Sequence, residues 1–296
     1  MYGLNQKHKK HNGPLYAVTY SERHKLLFTG GSDKIVAAWD LEKGENVPLS
    51  IKTESAILNF QLLNDDKHLF IGLFNGDFYV IDIDSRKEVI YSSDHKLGIF
   101  CSCYIKKRNM LFVGSGDGKL TIWDVAKNTL LQTHQFGKGK IRAIHNVDEN
   151  VFIGNSEGEI FQINIFNLSS SDLFAEIQYP IFCLNSNVNN DVLFVGDKNA
   201  HLSGIDILTK TVIQSIPAHN WPIYKIEWLN PDEFATCSRD KIIKIWDAKS
   251  FKVKQRLCFP EFAGHINSVN NLVSIPSIKS VVSIGDDKQI CLWKKR

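Results

Sequence analysis

The stretch GSGDGKLTIWD at residues 114–124 contains residue types that can bind phosphate, because three alternate glycines precede a lysine. A phosphate-binding loop opens a helix, whose free N–H groups face the anion. The residues after Gly118 instead alternate and are rich in β-branched and aromatic types, which is typical of a strand. Asp117-Gly118 then predicts a tight hairpin turn. We therefore predict no nucleotide site and no cofactor.

Histidine, aspartate and a hydroxyl residue recur together, and these are the side-chain types of a serine-hydrolase triad. The four sets are His11, Thr29 and Asp33; His95, Ser115 and Asp117; His219, Ser238 and Asp240; and His265, Ser283 and Asp287. Each set also has a tryptophan, at Trp39, Trp123, Trp246 or Trp293. A catalytic nucleophile occurs once, exposed, beside an oxyanion hole. Four copies of one set favour a structural role, and we predict no catalytic residues and no enzyme activity.

Composition excludes several classes of protein. Hydrophobic residues make up 43% and aromatic residues 11% of the 296, which is too apolar for a disordered chain. The 35 basic and 32 acidic residues leave a net charge of +3, which gives no electrostatic case for nucleic acid or an anionic membrane. The clusters KHKKH at 7–11 and KGKIR at 138–142 keep nucleic-acid association open as an alternative, although a solvated basic face explains them equally simply.

The cysteines and the apolar stretches bear on location and on metal binding. No apolar run opens the chain and none is long enough to span a bilayer, so we expect neither a secretory signal nor a membrane segment. The six cysteines are scattered, which favours reduced thiols and a cytoplasmic location. Cys101 and Cys103 share a strand face, but no second pair or suitably spaced histidines accompany them. We predict no metal site.

One sequence block repeats seven times and covers nearly the whole chain. Its clearest copies are LFTGGSDKIVAAWD, LFVGSGDGKLTIWD and FATCSRDKIIKIWD. The copies end at residues 40, 82, 124, 164, 206, 247 and 294. An apolar strand precedes each block, the block itself predicts a hairpin, and a fourth strand follows. Each unit is therefore a four-stranded antiparallel sheet, which must stack on its neighbours to bury both faces.

The chain resembles the WD-repeat β-propeller family over essentially its full length. The resemblance is carried by Trp-Asp at 39–40, 123–124 and 246–247, by Gly264-His265, and by a glycine and a turn acid at fixed offsets. It implies an all-β, seven-bladed propeller, a single domain over residues 1–296, and a function in binding proteins. It also implies that each His, Asp, hydroxyl and Trp set forms a buried hydrogen-bonded chain. Three blades depart from the pattern, because Ile81, Ile163 and Ile205 replace the tryptophan.

Closure of the propeller is predicted from the two ends of the chain. The last copy stops three residues after Trp293 and so lacks a fourth strand. Residues 1–10 precede the first block, and Tyr2–Lys7 has the right length to fill the gap. We predict that this segment pairs with the last blade and removes its exposed edge.

Two sets of positions are candidates for binding a partner. The residues directly after the first-strand opener are Tyr16, Leu58, Phe100, Arg142, Phe182, Tyr224 and Asn270, and in similar propellers this position points to the channel mouth. Residues just before the turn acids, above all Phe74, Lys198 and Arg239, are expected nearby, together with Trp221 in the loop AHNWPIY. We expect Tyr16, Phe74, Phe100, Arg142, Phe182, Lys198, Trp221, Tyr224 and Arg239 to contact a partner. The alternative is that the aromatic residues only cap the core.

These observations predict a non-catalytic scaffold that presents its rim and channel mouth to a protein or peptide, as a monomer or as part of a larger complex. A propeller hydrolase with a channel-lining site is the first alternative. It would need several acids, asparagines or histidines converging on the axis, whereas first strands such as LYAVTY and IFCSCY are largely apolar. A nucleic-acid-associated propeller is the second alternative.

Overall fold

A computed structural model describes residues 1–91 and 93–296 of the chain. The chain forms 28 β-strands, and its two short 3-10 helices are Lys106–Arg108 and Pro276–Ile278. The strands assemble into seven antiparallel sheets of four strands each. The predicted fold class, an all-β protein with the seven four-stranded blades of a β-propeller, is confirmed.

The residues divide into two compact units, and the first unit comprises residues 1–57, 199–201 and 217–296. It holds blades 1, 6 and 7, and in this unit the first strands of blades 6 and 1 both contact the first strand of blade 7. Blade 1 contains β2 (Leu15–Ser21), β3 (Leu26–Gly31), β4 (Ile35–Asp40) and β5 (Glu45–Lys52). Blade 6 contains β22 (Ile223–Asn230), β23 (Glu233–Ser238), β24 (Ile243–Asp247) and β25 (Val253–Leu257). Blade 7 contains β26 (Val269–Ile275), β27 (Ser280–Gly285), β28 (Ile290–Lys295) and β1 (Tyr2–His8).

The second unit comprises residues 58–198 and 202–216 and holds the bulk of blades 2 to 5. Blade 2 contains β6 (Ile57–Leu63), β7 (His68–Leu73), β8 (Phe78–Asp82) and β9 (Glu88–Tyr91). Blade 3 contains β10 (Ile99–Ile105), β11 (Met110–Ser115), β12 (Lys119–Asp124) and β13 (Thr129–Gln135). Blade 4 contains β14 (Ile141–Val147), β15 (Asn150–Asn155), β16 (Glu159–Asn164) and β17 (Ser170–Glu176). Blade 5 contains β18 (Ile181–Ser186), β19 (Val192–Asp197), β20 (His201–Asp206) and β21 (Val212–Pro217).

Each blade grades from a buried interior to an exposed outer strand. All six residues of β11 are buried, whereas the residues of β13 alternate between exposed and half-buried. A second strand covered on both faces explains the unbroken apolar runs such as LFVG, because alternation is lost when neither face meets water. The apolar interior of the second unit therefore lies between successive blades, as in the cluster that joins Phe112 and Ile122 of blade 3 to Ile141 and Ile153 of blade 4.

A glycine in the second strand lets neighbouring blades approach closely. A Cβ atom on Gly114 would lie 2.6 Å from Ile141 Cγ2 and 2.8 Å from Cys101 Sγ. Equivalent glycines in blades 2 and 4 face the opening isoleucine of the following blade at almost the same separation, 2.7 Å. The glycine of the repeated block is thus a packing requirement between blades and has no role in binding phosphate.

The N-terminal segment completes blade 7, as the sequence predicted. Strand β1 pairs antiparallel with β28, from Tyr2 opposite Lys295 to His8 opposite Ile290. Gln255 of blade 6 holds the start of β1, because its side chain accepts a hydrogen bond from Tyr2 N at 2.7 Å and donates one to Tyr2 O at 2.7 Å. The Lys7 ammonium also donates to Ala263 O at 2.9 Å. The first strand of the chain is therefore the last strand of the last blade.

Candidate functional site

The hydrogen-bonded chain expected in each tryptophan blade is present in blade 6. His219 Nδ1 lies 2.9 Å from Asp240 Oδ2, and His219 Nε2 lies 2.7 Å from Thr236 Oγ1. The indole N–H of Trp246 donates to the same Thr236 oxygen at 2.8 Å. The hydroxyl is fully buried and already holds two partners. It therefore fastens strands together and is not open to a substrate.

Blades 1 and 7 contain the same arrangement. His11 lies 2.7 Å from Asp33 and 2.9 Å from Thr29, which accepts the Trp39 N–H at 2.8 Å. In blade 7, His265 lies 2.9 Å from Asp287 and 2.8 Å from Ser283, which accepts the Trp293 N–H at 2.8 Å.

The structure corrects the hydroxyl residue in two blades. Ser238 was expected in the blade 6 chain, but its hydroxyl donates to Trp221 O and accepts the Asp240 N–H, so it fastens the loop. Thr236 takes the expected place, and it shares a strand face with Ser238 because the two positions are two residues apart. The sequence did hold a signal, because Thr236 precedes Asp240 by four residues, as Thr29 precedes Asp33 and Ser283 precedes Asp287.

In blade 3 the hydroxyl lies on a different strand from the one expected. Ser115 donates to Leu97 O at 2.6 Å, and its place in the chain is taken by Thr121. Thr121 lies 3.0 Å from His95 Nε2 and accepts the Trp123 N–H at 2.8 Å. The usual hydroxyl position is occupied by Val113, and Thr121 is its direct cross-strand partner. The hydroxyl has therefore moved to the neighbouring strand.

The buried histidines differ in their protonation. Burial lowers the pKa of His95 and of His219, despite the neighbouring carboxylates of Asp117 and Asp240. Burial also opposes the charged form of His265, but its hydrogen bond to Asp287 and its contact with Cys291 outweigh burial and raise its pKa to about 9. Blade 7 therefore holds a buried ion pair at neutral pH, whereas the histidines of blades 3 and 6 are neutral.

The three blades without tryptophan are held by apolar packing at the same position. Ile81, Ile163 and Ile205 are all buried in their blades. The latter two belong to the core clusters between blades 3 and 4 and between blades 4 and 5.

Three of the candidate binding residues meet on the surface of the second unit. The guanidinium carbon of Arg142 lies 4.7 Å from the ring centroid of Phe100 and 4.6 Å from that of Phe182. These residues hold the second position in the first strands of blades 3, 4 and 5, which contact one another in order. Each is half-buried. Both rings therefore lie within cation–π distance of the same guanidinium.

A β-bulge directs each of these three side chains. The pairing of β10 with β11 runs from Ile99 opposite Ser115 to Cys101 opposite Gly114, which leaves Phe100 as the extra residue. The same shift leaves out Arg142 in blade 4 and Phe182 in blade 5. A bulge removes one residue from the ladder and turns its side chain in a new direction. The same bulge recurs at Tyr16, Tyr224 and Asn270, so it is a feature of the repeat and is not confined to these three blades. The sequence did not predict these bulges.

Exposed apolar side chains continue the surface beyond Phe100. A Cβ atom on Gly116 would lie 2.8 Å from the Phe100 ring and 3.2 Å from Leu97 Cβ, and one on Gly98 would lie 2.8 Å from Leu58 and 3.2 Å from Phe74 O. Phe74 is 61% exposed and Leu97 is 49% exposed. We call the continuous surface the Arg142 strip, and its residues are Leu58, Phe74, Leu97, Phe100, Arg142 and Phe182.

Leu97 was missed in the sequence although a signal was present. It is the second residue after His95, as Trp221 is the second residue after His219. The exposed Lys198 holds the position in blade 5 that Gly116 holds in blade 3, because Asp197 pairs opposite Ile181 as Ser115 pairs opposite Ile99. This register puts Lys198 at the turn that follows the second strand of blade 5, the blade that carries Phe182.

The first unit carries a separate aromatic and basic pair. The Arg239 guanidinium lies 4.8 Å from the Trp221 ring centroid, and Trp221 is 52% exposed. The loop is fixed because Ser238 Oγ donates to Trp221 O, while the Arg239 N–H donates to Pro222 O. Both residues are held on the surface without help from a partner.

The remaining candidates in the first unit are less exposed. Tyr16 and Tyr224 are half-buried, and Tyr224 packs against the core cluster between blades 6 and 7. Burial, followed by the nearby carboxylate of Asp286, raises the pKa of Tyr16. For Tyr224 the packing supports the alternative that it caps the core.

Residues 1–91 and 93–296 contain neither a cluster of metal-binding side chains nor a helix that could span a membrane. In that part of the chain, no three His, Cys, Asp or Glu residues are placed to hold a metal ion. Its helices also lack the length and apolar character of a membrane span.

Comparison with known proteins identifies a matching family model and several similar proteins. Residues 4–40, 87–124 and 210–247 match the family model described as WD domain, G-beta repeat. The chain is 23% identical over 294 residues to nuclear distribution protein nudF 1 of Talaromyces marneffei, covering 96% of this chain and 58% of that protein. It is 21% identical to protein tipD of Dictyostelium discoideum, covering 96% of this chain and 40% of that protein. It is 24% identical over 166 residues to COMPASS component SWD3 of Saccharomyces cerevisiae, covering 53% of each chain.

The matched stretches agree with the blades. Each stretch ends on a Trp-Asp pair at the end of a third strand, at residue 40, 124 or 247. The chain spans about half the length of the relatives that it matches. Three stretches that match the WD-repeat model, seven four-stranded antiparallel blades and a last blade completed by the first strand together show that this chain carries WD repeats within a seven-bladed β-propeller.

Proposed function

We propose that the chain is a non-catalytic scaffold that binds a protein or peptide through loops at the rim of its blades. The observation that carries this proposal is the Arg142 strip, in which three bulged residues and three apolar neighbours form one surface. Aromatic and arginine side chains held in place before binding are the residue types that dominate protein interfaces. Loop residues fixed by a rigid sheet scaffold are common binding sites.

The names of two relatives agree with this proposal. One is a COMPASS component and another, a mouse protein that is 27% identical over 146 residues, is called Gem-associated protein 5. Both names record association with other molecules. The buried hydroxyls in the four His sets support a role in structure for the residues that resemble a hydrolase triad.

The location and the assembly state remain part of the proposal. The six cysteines are free thiols and four of them are buried, which supports a reducing compartment such as the cytoplasm. We propose that the chain acts as a monomer or as one component of a larger complex, and that its partner is neither nucleic acid nor a membrane.

The test is a quantitative capture of proteins from the native cell with matched variants. Phe74→Ala with Leu97→Ala removes the exposed apolar end of the Arg142 strip, and we expect at least a five-fold loss of the captured partner. Val188→Ala with Leu208→Ala is the control, because these side chains are exposed on loops outside the strip and Leu208 is 91% exposed. A Trp221→Ala variant tests the surface of the first unit separately. Equal capture by all variants contradicts the proposal.

A further inference from the structure

We propose that the Arg142 strip selects a peptide segment that carries a carboxylate next to an apolar or aromatic side chain. This inference rests on the proposed function and adds the chemistry of the partner. Two observations support this inference. The space between Phe100 and Phe182 is already occupied by a cation of the chain itself, Arg142, and the strip changes from apolar to basic along its length.

The cation already held between Phe100 and Phe182 determines which partner charge the strip attracts. Two phenylalanine rings on either side of a gap would attract a partner's cation, but the gap between Phe100 and Phe182 already holds the guanidinium of Arg142. A second cation would meet a fixed positive charge there. The charge of a guanidinium attracts a carboxylate, and its planar shape suits the two carboxylate oxygens.

The neighbouring charges reinforce this preference. The exposed Lys198 lies in the blade 5 turn, and the exposed Lys140 belongs to the loop that enters β14 two residues before Arg142. Asp117 in the blade 3 turn is committed to His95 and to the N–H groups of Lys96 and Lys119. The turns of blades 4 and 5 thus contribute Lys140 and Lys198 beside Arg142, while the blade 4 turn contributes one exposed acid, Glu157.

The apolar end of the strip, at Phe74 and Leu97, determines the second residue type that we expect in the bound peptide. Phe74 and Leu97 are exposed on adjacent loops, and the backbone of Leu97 lies beside Gly76 in the turn that follows Phe74. Exposed apolar side chains held on rigid turns gain most by covering a partner's apolar side chain. A peptide with an acidic and an apolar residue close together therefore matches both ends of the strip.

The test is selection of a displayed library of random 12-residue peptides on the intact chain. We expect enriched sequences to place Asp or Glu within two or three residues of Phe, Leu or Trp. Synthetic peptides with these sequences should bind Arg142→Ala at least ten-fold more weakly, and replacing their acid with Lys should weaken binding to the unmodified chain similarly. Arg142→Lys should recover only part of the affinity, because lysine keeps the charge but neither stacks nor binds in a bidentate manner.

The outcomes separate this inference from the proposed function. If the enriched peptides are basic, the proposed preference for an acid is wrong. The same holds if acidic peptides bind Arg142→Ala as well as they bind the unmodified chain. Either result still allows the strip to be a peptide-binding surface. Enriched peptides that bind Phe74→Ala with Leu97→Ala unchanged overturn both proposals, and so does the lack of any enrichment.

Arg142→Ala also has a readout that does not depend on the library. The variant opens the gap between Phe100 and Phe182, so it should gain weak binding of arginine methyl ester, measured by NMR shifts, that the unmodified chain lacks. Arg108→Ala is the matched control, since it removes an arginine stacked on Phe166 outside the strip and should leave both measurements unchanged. A melting temperature of Arg142→Ala close to that of the unmodified chain shows that the fold is kept.

Discussion

At the scale of single residues, the polar side chains that most resemble catalytic groups hold strands together. In blade 3, Thr121 links the imidazole of His95 to the indole of Trp123, and all three are buried. A buried polar group is costly when it loses its partner. The three side chains therefore form one unit, and loss of the central hydroxyl removes the hydrogen-bond partner of His95 Nε2 and of the Trp123 N–H.

Thr121→Val tests this role directly. The change keeps the shape of the side chain but leaves His95 Nε2 and the Trp123 N–H unpaired, so we expect the free energy of unfolding to fall by about 1–3 kcal/mol for each unpaired group. Thr133→Val is the control, because Thr133 lies directly opposite Thr121 on β13 and is exposed. Urea unfolding of both variants measures the difference, and equal small losses would contradict the assignment.

The charge on His265 makes blade 7 sensitive to alkaline pH. Its pKa is about 9 in the fold and near its ordinary value of 6.5 in the unfolded chain, so its stabilising effect is complete below pH 6.5 and is lost as the pH rises through 9. We expect His265→Gln to lower stability at pH 6 and to approach the unmodified chain at pH 9.5. Hydrogen exchange of blade 7 amides at both pH values measures this.

His219→Gln provides the opposite case. Burial lowers the pKa of His219, so the unfolded chain takes up a proton below pH 6.5 that the folded chain refuses, and stability falls as the solution becomes acidic. The gap between His219→Gln and the unmodified chain should therefore narrow toward low pH. A gap that narrows toward high pH instead would be inconsistent with a neutral imidazole.

At the scale of strands and blades, the repeat unit combines hydrogen-bonded pairing of its own strands with close packing against the next blade. A bulge interrupts the ladder at the same register in six blades, at Phe100, Arg142 and Phe182 and also at Tyr16, Tyr224 and Asn270. The glycines that follow in the second strand allow the opening isoleucine of the next blade to pack against bare backbone. The same few residues therefore set the blade spacing and the direction of the surface side chains.

Gly114→Ala tests the blade contact. The new methyl group would lie 2.6 Å from Ile141 Cγ2, so packing must shift, and we expect a loss of about 1–3 kcal/mol in unfolding free energy. Gly204→Ala is the control, because its nearest neighbour is 3.3 Å away. Thermal unfolding of the two variants should show the larger loss at Gly114, and similar losses would disprove the packing argument.

The sequence predicted the blades well and the surface poorly, for a physical reason. Repeated Trp-Asp pairs, turn acids and glycines mark local geometry, so the strand ends at 40, 124 and 247 could be read directly. The prediction of Ser238 in place of Thr236 overlooked a spacing signal, because Thr29, Thr236 and Ser283 each lie four residues before the turn acid of their blade. The contact between Arg142 and two phenylalanines about 40 residues away depends on bulges that no local pattern records.

At the scale of the whole molecule, the first unit is built from both ends of the chain and the second from its middle. Each unit is therefore assembled from separate segments of the chain. This supports the proposal that residues 1–296 fold as one domain, which predicts a single unfolding transition.

Removal of residues 1–10 tests the contribution of the first strand. The deletion strips blade 7 of its outer strand, exposes the ladder of β28 and removes the partner of Gln255. We expect the melting temperature to fall by at least about 5 °C, with aggregation through the open edge. A synthetic peptide of residues 1–10 added in excess should restore part of the loss. Gln255→Ala, which removes only the side-chain contact with Tyr2, should have a much smaller effect.

The pairing of Tyr2 with Lys295 also has a consequence for synthesis of the protein. The ribosome synthesises β1 before β28, with the strands of six blades between them. Strand β1 therefore stays without its ladder partner, and blade 7 stays incomplete, until all of those blades have been made. Folding of this propeller includes a late pairing of distant segments that repeats paired only with their sequence neighbours do not need.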